Sequence, residues 1–347
     1  MKDKFVDIVE IENRLRLKFS RDSEGQKAVS DFQVMPDGHA GLTYGFAATG
    51  LDGSRDEYIL KVAPFGVRRS GNTDVYRQVP LLNALVSAGL PVPDVPYSSP
   101  EETELGSPYI IMERLPGRTF VVWMPHSTFR PEETGLIWRQ AAKALAQIHK
   151  YEWQPALLNW SRVRELSEEL SFWASILAKS DNKTWLAKGR KLAAQLEGMP
   201  PAPGPIGVVH GDYQPGNLLF ANTKLTGIID WELAFIGSQN LDLGWLLMMG
   251  DTAAWHENWQ PVCNVSAEEL VSIYEKERGQ KVENKEWFEA LACYRLGAIA
   301  TLNIGLHQRG KRTDEFWERM IGSVDTLFER GIELSSPTHT SNKTGAL

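Results

Sequence analysis

Residues 208–244 read VVHGDYQPGNLLFANTKLTGIIDWELAFIGSQNLDLG, and the rest of the chain is organised around this stretch. An apolar run, Ile206 to Val209, delivers His210, Gly211 and Asp212 into a loop that contains Pro215 and Gly216. Asn217 follows five residues after Asp212. Leu218 to Phe220 and Leu225 to Ile229 then read as the two short strands of a hairpin, with Asn222 and Thr223 as turn formers. The second strand ends on Asp230. A strand end holds a polar side chain rigidly over a cleft, so Asp212, Asn217 and Asp230 are expected at one rim of the hairpin. An amide oxygen and a carboxylate suit Mg²⁺, a hard cation that takes oxygen ligands and keeps several waters. Asn217 and Asp230 are therefore the metal-binding candidates, which leaves Asp212 for the chemistry. His210 reads as a brace for the loop backbone and not as a base. Asp242, in Leu241-Asp242-Leu243-Gly244, has the position of a cap for the helix that follows.

The spacing D-x-x-x-x-N followed by a strand-terminal Asp is that of the protein-kinase catalytic loop and metal-binding Asp. In the form H-G-D-x-x-x-x-N (His210 to Asn217) with D-W-E (Asp230 to Glu232), the chain resembles the aminoglycoside phosphotransferase family of small-molecule kinases. Within it, the chain resembles the branch found fused to or beside acyl-CoA dehydrogenases. The resemblance is specific in the catalytic loop and metal site and diffuse elsewhere. It implies an α+β, bilobal, protein-kinase-like fold: a small antiparallel-sheet N-terminal lobe over residues 1–115 and a larger helical C-terminal lobe over 116–334. It further implies ATP or GTP with Mg²⁺, and transfer of the γ-phosphate to a hydroxyl of a small molecule. That acceptor would be an aminoglycoside-like antibiotic or a hydroxylated metabolite such as a hydroxyacyl-CoA. In the family the Asp that matches Asp242 braces the catalytic loop, so Asp242 joins His210 as structural support. The alternative is a kinase homologue that binds nucleotide without turnover.

Upstream, Phe32 to Met35 and Phe46 to Thr49 flank a glycine-bearing loop. Strand, loop, strand is the form that covers nucleotide phosphates with backbone N–H groups, and Gly38, Gly41 and Thr43 are its nucleotide-binding candidates. The chain contains neither a Walker A sequence nor G-x-G-x-x-G. Lys61 interrupts the apolar run Tyr58-Ile59-Leu60-Lys61-Val62, where a lysine must either reach solvent or meet a buried anion. Kinase-like proteins carry their phosphate-binding Lys on this third strand, so Lys61 is assigned to the α- and β-phosphates. Such a Lys needs an acid on the next helix, but Gln78 stands where relatives more often have Glu. Asp74, one turn earlier, is the nearest carboxylate in sequence and the expected substitute. The resemblance places the adenine-binding hinge near Met112 to Arg114, at the end of the strand from Tyr109.

A chain of 347 residues, 42% hydrophobic and 23% charged, can bury a sizeable core in one or two domains. A net charge of −7, with no basic stripe, argues against nucleic-acid binding. No apolar run approaches the ~20 residues of a membrane span, and MKDKFVDIVE has no signal-peptide core. Cys263 and Cys293 fit no metal or redox spacing, and the expected compartment is the cytoplasm. Phe5, Ile8, Ile11, Leu15 and Phe19 have near-helical spacing. Residues 132–197 read as helical, Ser266 with Glu269 as a capping box, and 335–347 as a disordered tail. For the acceptor, Glu257, Glu268 and Glu269 would suit a polycation, whereas Arg309, Lys311 and Arg312 would suit CoA phosphates. Both groups also read as solvated helix faces and caps, and neither decides.

Overall fold

The computed structural model describes residues 8–35, 42–202 and 204–336. The chain divides into two compact units. The first takes residues 1–117 together with 154–160 and 226–233, and the second takes the remainder.

The first unit contains α1 (Ile8–Asp22), β1 (Lys27–Val34), β2 (Leu42–Gly50), β3 (Arg55–Val62), α2 (Gln78–Ser87), β4 (Tyr97–Ser99) and β5 (Tyr109–Glu113). The strands form one antiparallel sheet in the order β1-β2-β3-β5-β4. Side chains alternate across a sheet, and the two faces differ accordingly. On one face Tyr44, Phe46, Tyr58, Leu60, Val62, Tyr109 and Ile111 are buried. Ile11, Leu15 and Phe19 of α1, four residues apart and so on one helical stripe, complete that core. Phe19 meets Phe46 edge to face at 5.3 Å, and full burial of such side chains contributes ~1.5–3 kcal/mol each. The opposite face carries Lys61, paired across the strands with Thr43 and Ile110, and Met112, paired with Ile59. Ile11, Leu15 and Phe19 are therefore the stripe read from the sequence; Ile8, expected with them, stands exposed at the first position of α1, and Phe5 lies outside the described residues.

The second unit is mainly helical. Its elements are β6 (Arg118–Thr119), α3 (Thr134–Lys150), β7 (Val163–Arg164), α4 (Leu166–Leu177), α5 (Lys183–Gly198), β8 (Ile206–Val209), β9 (Leu218–Ala221), β10 (Lys224–Ile228), β11 (Phe235–Ser238), α6 (Asn240–Gly250), α7 (Ala267–Arg278), α8 (Lys285–Gln308) and α9 (Phe316–Leu334). The chain passes into the first unit within β10 and returns after Leu233. The hairpin from β9 to β10 turns at Asn222 and Thr223, both with positive φ (48° and 65°), as the twist of a two-residue hairpin turn requires. In α6 every residue from Asn240 to Met249 is buried, which marks it as the central helix. A Cβ on Gly244 would lie 2.4 Å from the Phe288 backbone, so only glycine lets α6 and α8 approach this closely. Ser266 caps α7 by accepting from the Glu269 N–H at 3.2 Å, in keeping with the S-x-x-E signature.

The expectation of helix throughout 132–197 is corrected. Three helices occupy the region, and 154–160 between the first two joins the first unit. There the Trp160 indole donates to the Arg77 carbonyl at 2.6 Å and lies against the Arg77 guanidinium. The helical period gave no sign of it, because a single indole anchor has no period. Ser335 ends α9; residues 337–347 of the expected tail lie outside the described residues. Among the described residues no helix is long and apolar enough to cross a membrane.

Candidate active site

In the first unit the site is built on Lys61. Its side chain is 14% exposed, and Nζ lies 2.7 Å from Asp230 Oδ1 and 3.9 Å from Glu232 Oε2. Burial alone would lower the Lys61 pKa, but the Asp230 and Glu232 carboxylates more than offset it and hold the ammonium above its ordinary range. Asp230 reaches this position through its backbone. It follows β10 with φ of 66°, a left-handed conformation that Asp tolerates better than most residues. Trp231 fixes the turn, fully buried and donating through its indole to the Ile228 carbonyl at 2.9 Å. A single 3-10 turn, Trp231–Leu233, then carries Glu232.

This arrangement corrects the expected partner of Lys61. Among the described residues Lys61 makes its ion pairs with Asp230 and Glu232, and neither Asp74 nor Gln78 is hydrogen-bonded to it. Asp74 ends one 3-10 turn and begins the next, with φ −94° and ψ 83°, outside the helix. Gln78 is the first residue of α2 and is buried. The carboxylate that the helix lacks is supplied from 169 residues away in sequence.

In the second unit the site is the loop after β8. Val208 and Val209 are buried strand residues paired with β11, and the chain then turns at Gly211, whose φ is +88°. Asp242 in the first turn of α6 accepts from the His210 N–H at 2.6 Å and the Gly211 N–H at 2.9 Å, so it braces the loop. His149 of α3 lies 3.5 Å from the same carboxylate and 2.7 Å from the Tyr274 hydroxyl. Burial raises the Asp242 carboxyl, yet the His149 hydrogen bond and charge, with the His210 charge and amide, outweigh it and leave the group below the usual range. His210 is buried, and its Nδ1 accepts from the Asp212 N–H at 3.2 Å. That bond turns Nδ1 to the loop backbone.

The Asp212 carboxylate receives two amide groups. Gln214 Nε2 donates to Oδ1 at 3.0 Å and Asn217 Nδ2 to Oδ2 at 2.9 Å, and Asn217 also donates to the Asp212 carbonyl at 2.8 Å. With its nitrogen so engaged, Asn217 keeps its amide oxygen for another partner, and that oxygen takes no hydrogen bond among the described residues. Tyr213 anchors the loop from below, its hydroxyl donating to the Ala141 carbonyl at 2.8 Å. Among the described residues no group of three or more His, Cys, Asp and Glu side chains forms a metal cage. Mg²⁺ asks for less, since one or two protein oxygens besides water and phosphate suffice; each unit offers an oxygen of that kind, the Asp230 carboxylate in the first and the Asn217 amide in the second.

Of the other expected residues, Gly38 and Gly41 lie outside the described residues. Thr43, Lys61 and Met112 share one sheet face. Arg114 follows β5, with its N–H on the Glu57 carbonyl at 2.9 Å and its guanidinium 3.6 Å from the Glu57 carboxylate. Glu269 is engaged with Arg139 at 2.6 Å and Arg309 with Asp181, both at the surface. The sequence reading did not single out His149, Arg295 and Glu232. For Arg295 a signal existed: it stands, with Glu289, in the otherwise apolar run from Trp287 to Ile304, where a charge on a buried helix requires a partner.

Residues 35–270 match the sequence profile of the phosphotransferase enzyme family. Among curated proteins, acyl-CoA dehydrogenase family member 11 of Gallus gallus is 25% identical over 304 residues, covering 80% of this chain, and that of Homo sapiens is 24% identical over 300 residues, covering 82%. The chain spans 38% of the length of each of these relatives. Among solved structures, a candidate aminoglycoside phosphotransferase of Ralstonia eutropha superposes with a TM-score of 0.71 at 18% identity, over 93% of this chain and 97% of that one. A thermostable variant of aminoglycoside phosphotransferase APH(4)-Ia, in ternary complex with ADP and hygromycin B, gives 0.60 at 17% identity over 93% and 99%. Macrolide 2'-phosphotransferase MphH of Brachybacterium faecium gives 0.57 at 16% over 90% and 97%.

Proposed function

Since the chain belongs to the phosphotransferase enzyme family, we propose that it is an ATP-dependent kinase that transfers the γ-phosphate to a hydroxyl of a small molecule. The observation that carries this reading is the Asp212 loop. Its backbone is held by Asp242 and His210, and its carboxylate is aimed by Gln214 and Asn217. Phosphoryl transfer asks for positioning and charge neutralisation more than for covalent chemistry, and a carboxylate fixed on this scale meets the first demand.

Asp212 would accept the hydrogen bond of the acceptor hydroxyl and direct its oxygen in line with the γ-phosphorus. The oxygen–phosphorus bond forms as the bond to the β,γ-bridging oxygen breaks, ADP leaves, and the proton passes to Asp212 late. A carboxylate with a pKa near ~4 is too weak a base to take it early. Lys61 would hold the α- and β-phosphates, with Asp230 and Glu232 keeping it charged. Asp230 and Asn217 Oδ1 are the groups that would hold Mg²⁺, which when bound neutralises charge on the phosphates. Backbone atoms near Met112 to Arg114 would meet the base, and Gly38, Gly41 and Thr43 would cover the phosphates.

For the acceptor we favour a hydroxylated metabolite, with hydroxyacyl thioesters first. Curated relatives of this chain carry acyl-CoA dehydrogenase names, whereas the likeness to APH(4)-Ia with hygromycin B is one of fold. One observation favours a second reading, a binding module without turnover: Lys61 pairs with Asp230 in place of a helix carboxylate. ATP consumption with and without hydroxyacyl thioesters, other hydroxylated metabolites and aminoglycosides separates the two. Acceptor-dependent ADP release that disappears in Asp212→Asn supports the kinase. Tight ATP binding with no release for any acceptor supports the module.

A further inference from the structure

Arg295 lies mid-way along α8 on its buried side. Its guanidinium is enclosed between two indoles, 4.9 Å from the ring centre of Trp173 in α4 and 4.6 Å from that of Trp245 in α6. One Nη donates to the Gly211 carbonyl, while Nε has no acceptor among the described residues. A buried charge with an unused donor is not what packing alone selects. A hydrophobic side chain of similar volume in such a place is often neutral or stabilising. The charge is therefore better explained by what its bonded nitrogen holds.

That nitrogen holds the peptide between Gly211 and Asp212. The carbonyl of this peptide accepts from Arg295, and its N–H, on Asp212, donates to His210 Nδ1 at 3.2 Å. The preceding peptide is fixed by Asp242 through the Gly211 N–H. Gly211 itself, at φ +88°, has no side chain to restrict its rotation. The plane that sets where the Asp212 side chain departs is thus clamped at both ends, once from α8.

We propose that Arg295 is a positioning residue of the phosphotransfer site: by clamping the Gly211 carbonyl it presents the Asp212 carboxylate to the acceptor hydroxyl. The role rests on the phosphotransferase reading of Asp212. The groups facing Arg295 agree with it. Burial pulls its pKa down, Glu169, Asp212 and Asp242 pull it up, and Arg164 opposes them.

The test compares Arg295→Met and Arg295→Lys in the full chain. For the Met variant, kcat falls roughly ten- to a hundredfold, the range for a lost charge-assisted hydrogen bond. Mg-ATP affinity by calorimetry stays within about twofold, and Tm drops by no more than about 4 °C. Amide hydrogen exchange quickens in 210–217 and not across the helices. The Lys variant keeps the charge but not the flat fork between the indoles, so it restores part of kcat and part of the slow exchange in 210–217. Wild-type kcat and loop exchange in the Met variant would overturn the proposal. So would a loss of kcat that merely tracks a lowered Tm and faster exchange throughout the helices. If the wild type turns over no acceptor, the phosphotransferase reading fails by itself. Local exchange then decides the clamp: faster in 210–217 of the Met variant supports it, unchanged refutes it.

Discussion

Replacing Asp242 with alanine removes one carboxylate that serves both the geometry of the catalytic loop and the stability of the unit. The carboxylate accepts from the His210 and Gly211 amides at 2.6 and 2.9 Å; the His149 contact, at 3.5 Å, is at the limit of a hydrogen bond and adds little. Asp242 is 1% exposed, so water has no ready access to the two N–H groups it leaves. Each unsatisfied buried donor costs ~1–3 kcal/mol, and more where the lost acceptor was charged. The expected loss is therefore ~2–6 kcal/mol. In a unit of this size each kcal/mol lowers Tm by about 2–4 °C, so Asp242→Ala should melt on the order of 10 °C below the wild type by calorimetry or circular dichroism. The pH dependence has a fixed sign. The folded pKa of Asp242 is depressed, so its contribution is present above its ordinary value of 3.8 and is lost as pH falls through the folded value. His149 is held below its ordinary 6.5 by burial, with the Asp242 carboxylate opposing. The unfolded chain then takes up a proton that the folded one refuses, and stability also declines as pH falls below about 6.5. A variant that melts within about 2 °C of the wild type at pH 7 would refute this reasoning, since it would mean that the two amides find another acceptor.

Three further outcomes follow from the same contacts. Asp212→Asn should lower kcat by about 10²–10⁴, the usual range for a positioned proton acceptor, and leave Mg-nucleotide affinity by calorimetry within about twofold. Equal loss of both would remove its assignment to the acceptor. Asp230→Ala should weaken Mg-ATP binding by tenfold or more by a rough estimate from one lost charge-assisted contact, and the double variant with Lys61→Ala should cost less than the sum of the two, as paired residues do; strict additivity would count against the 2.7 Å pair. Asp74→Ala, by contrast, should change turnover less than twofold by the same estimate, because Asp74 makes no ion pair with Lys61 among the described residues, and a tenfold drop in a steady-state assay would restore it as the partner.

Local spacing showed what lies close in sequence. Ile11, Leu15 and Phe19 announced α1, Asn222 and Thr223 announced the hairpin turn, and the five-residue step from Asp212 to Asn217 announced a loop in which the two side chains meet. The partner of Lys61 was not legible, because Asp230 is separated from it by 169 residues and no period connects β3 to the end of β10. Asp74 is only the nearest carboxylate in sequence, whereas the one that meets Lys61 is near in space alone. Trp160 against Arg77 and Arg295 against Gly211 were missed for the same reason. In each, one side chain fixes a backbone carbonyl far away in the chain, and an acceptor common to every residue leaves no trace in composition.

The first unit is discontinuous in sequence: it borrows 154–160 and 226–233 from chain that is made long after residue 117. On a ribosome that adds about 5–20 residues per second, roughly 6 to 23 s pass between the two events. For that interval the sheet can form against α1, but the lysine on its other face has no carboxylate and the strand that brings one does not yet exist. The nascent sheet thus carries an unneutralised ammonium at the place where the finished protein has an ion pair. A truncated chain ending at residue 117 would remain in that condition, a charge awaiting the one segment that makes its burial tolerable.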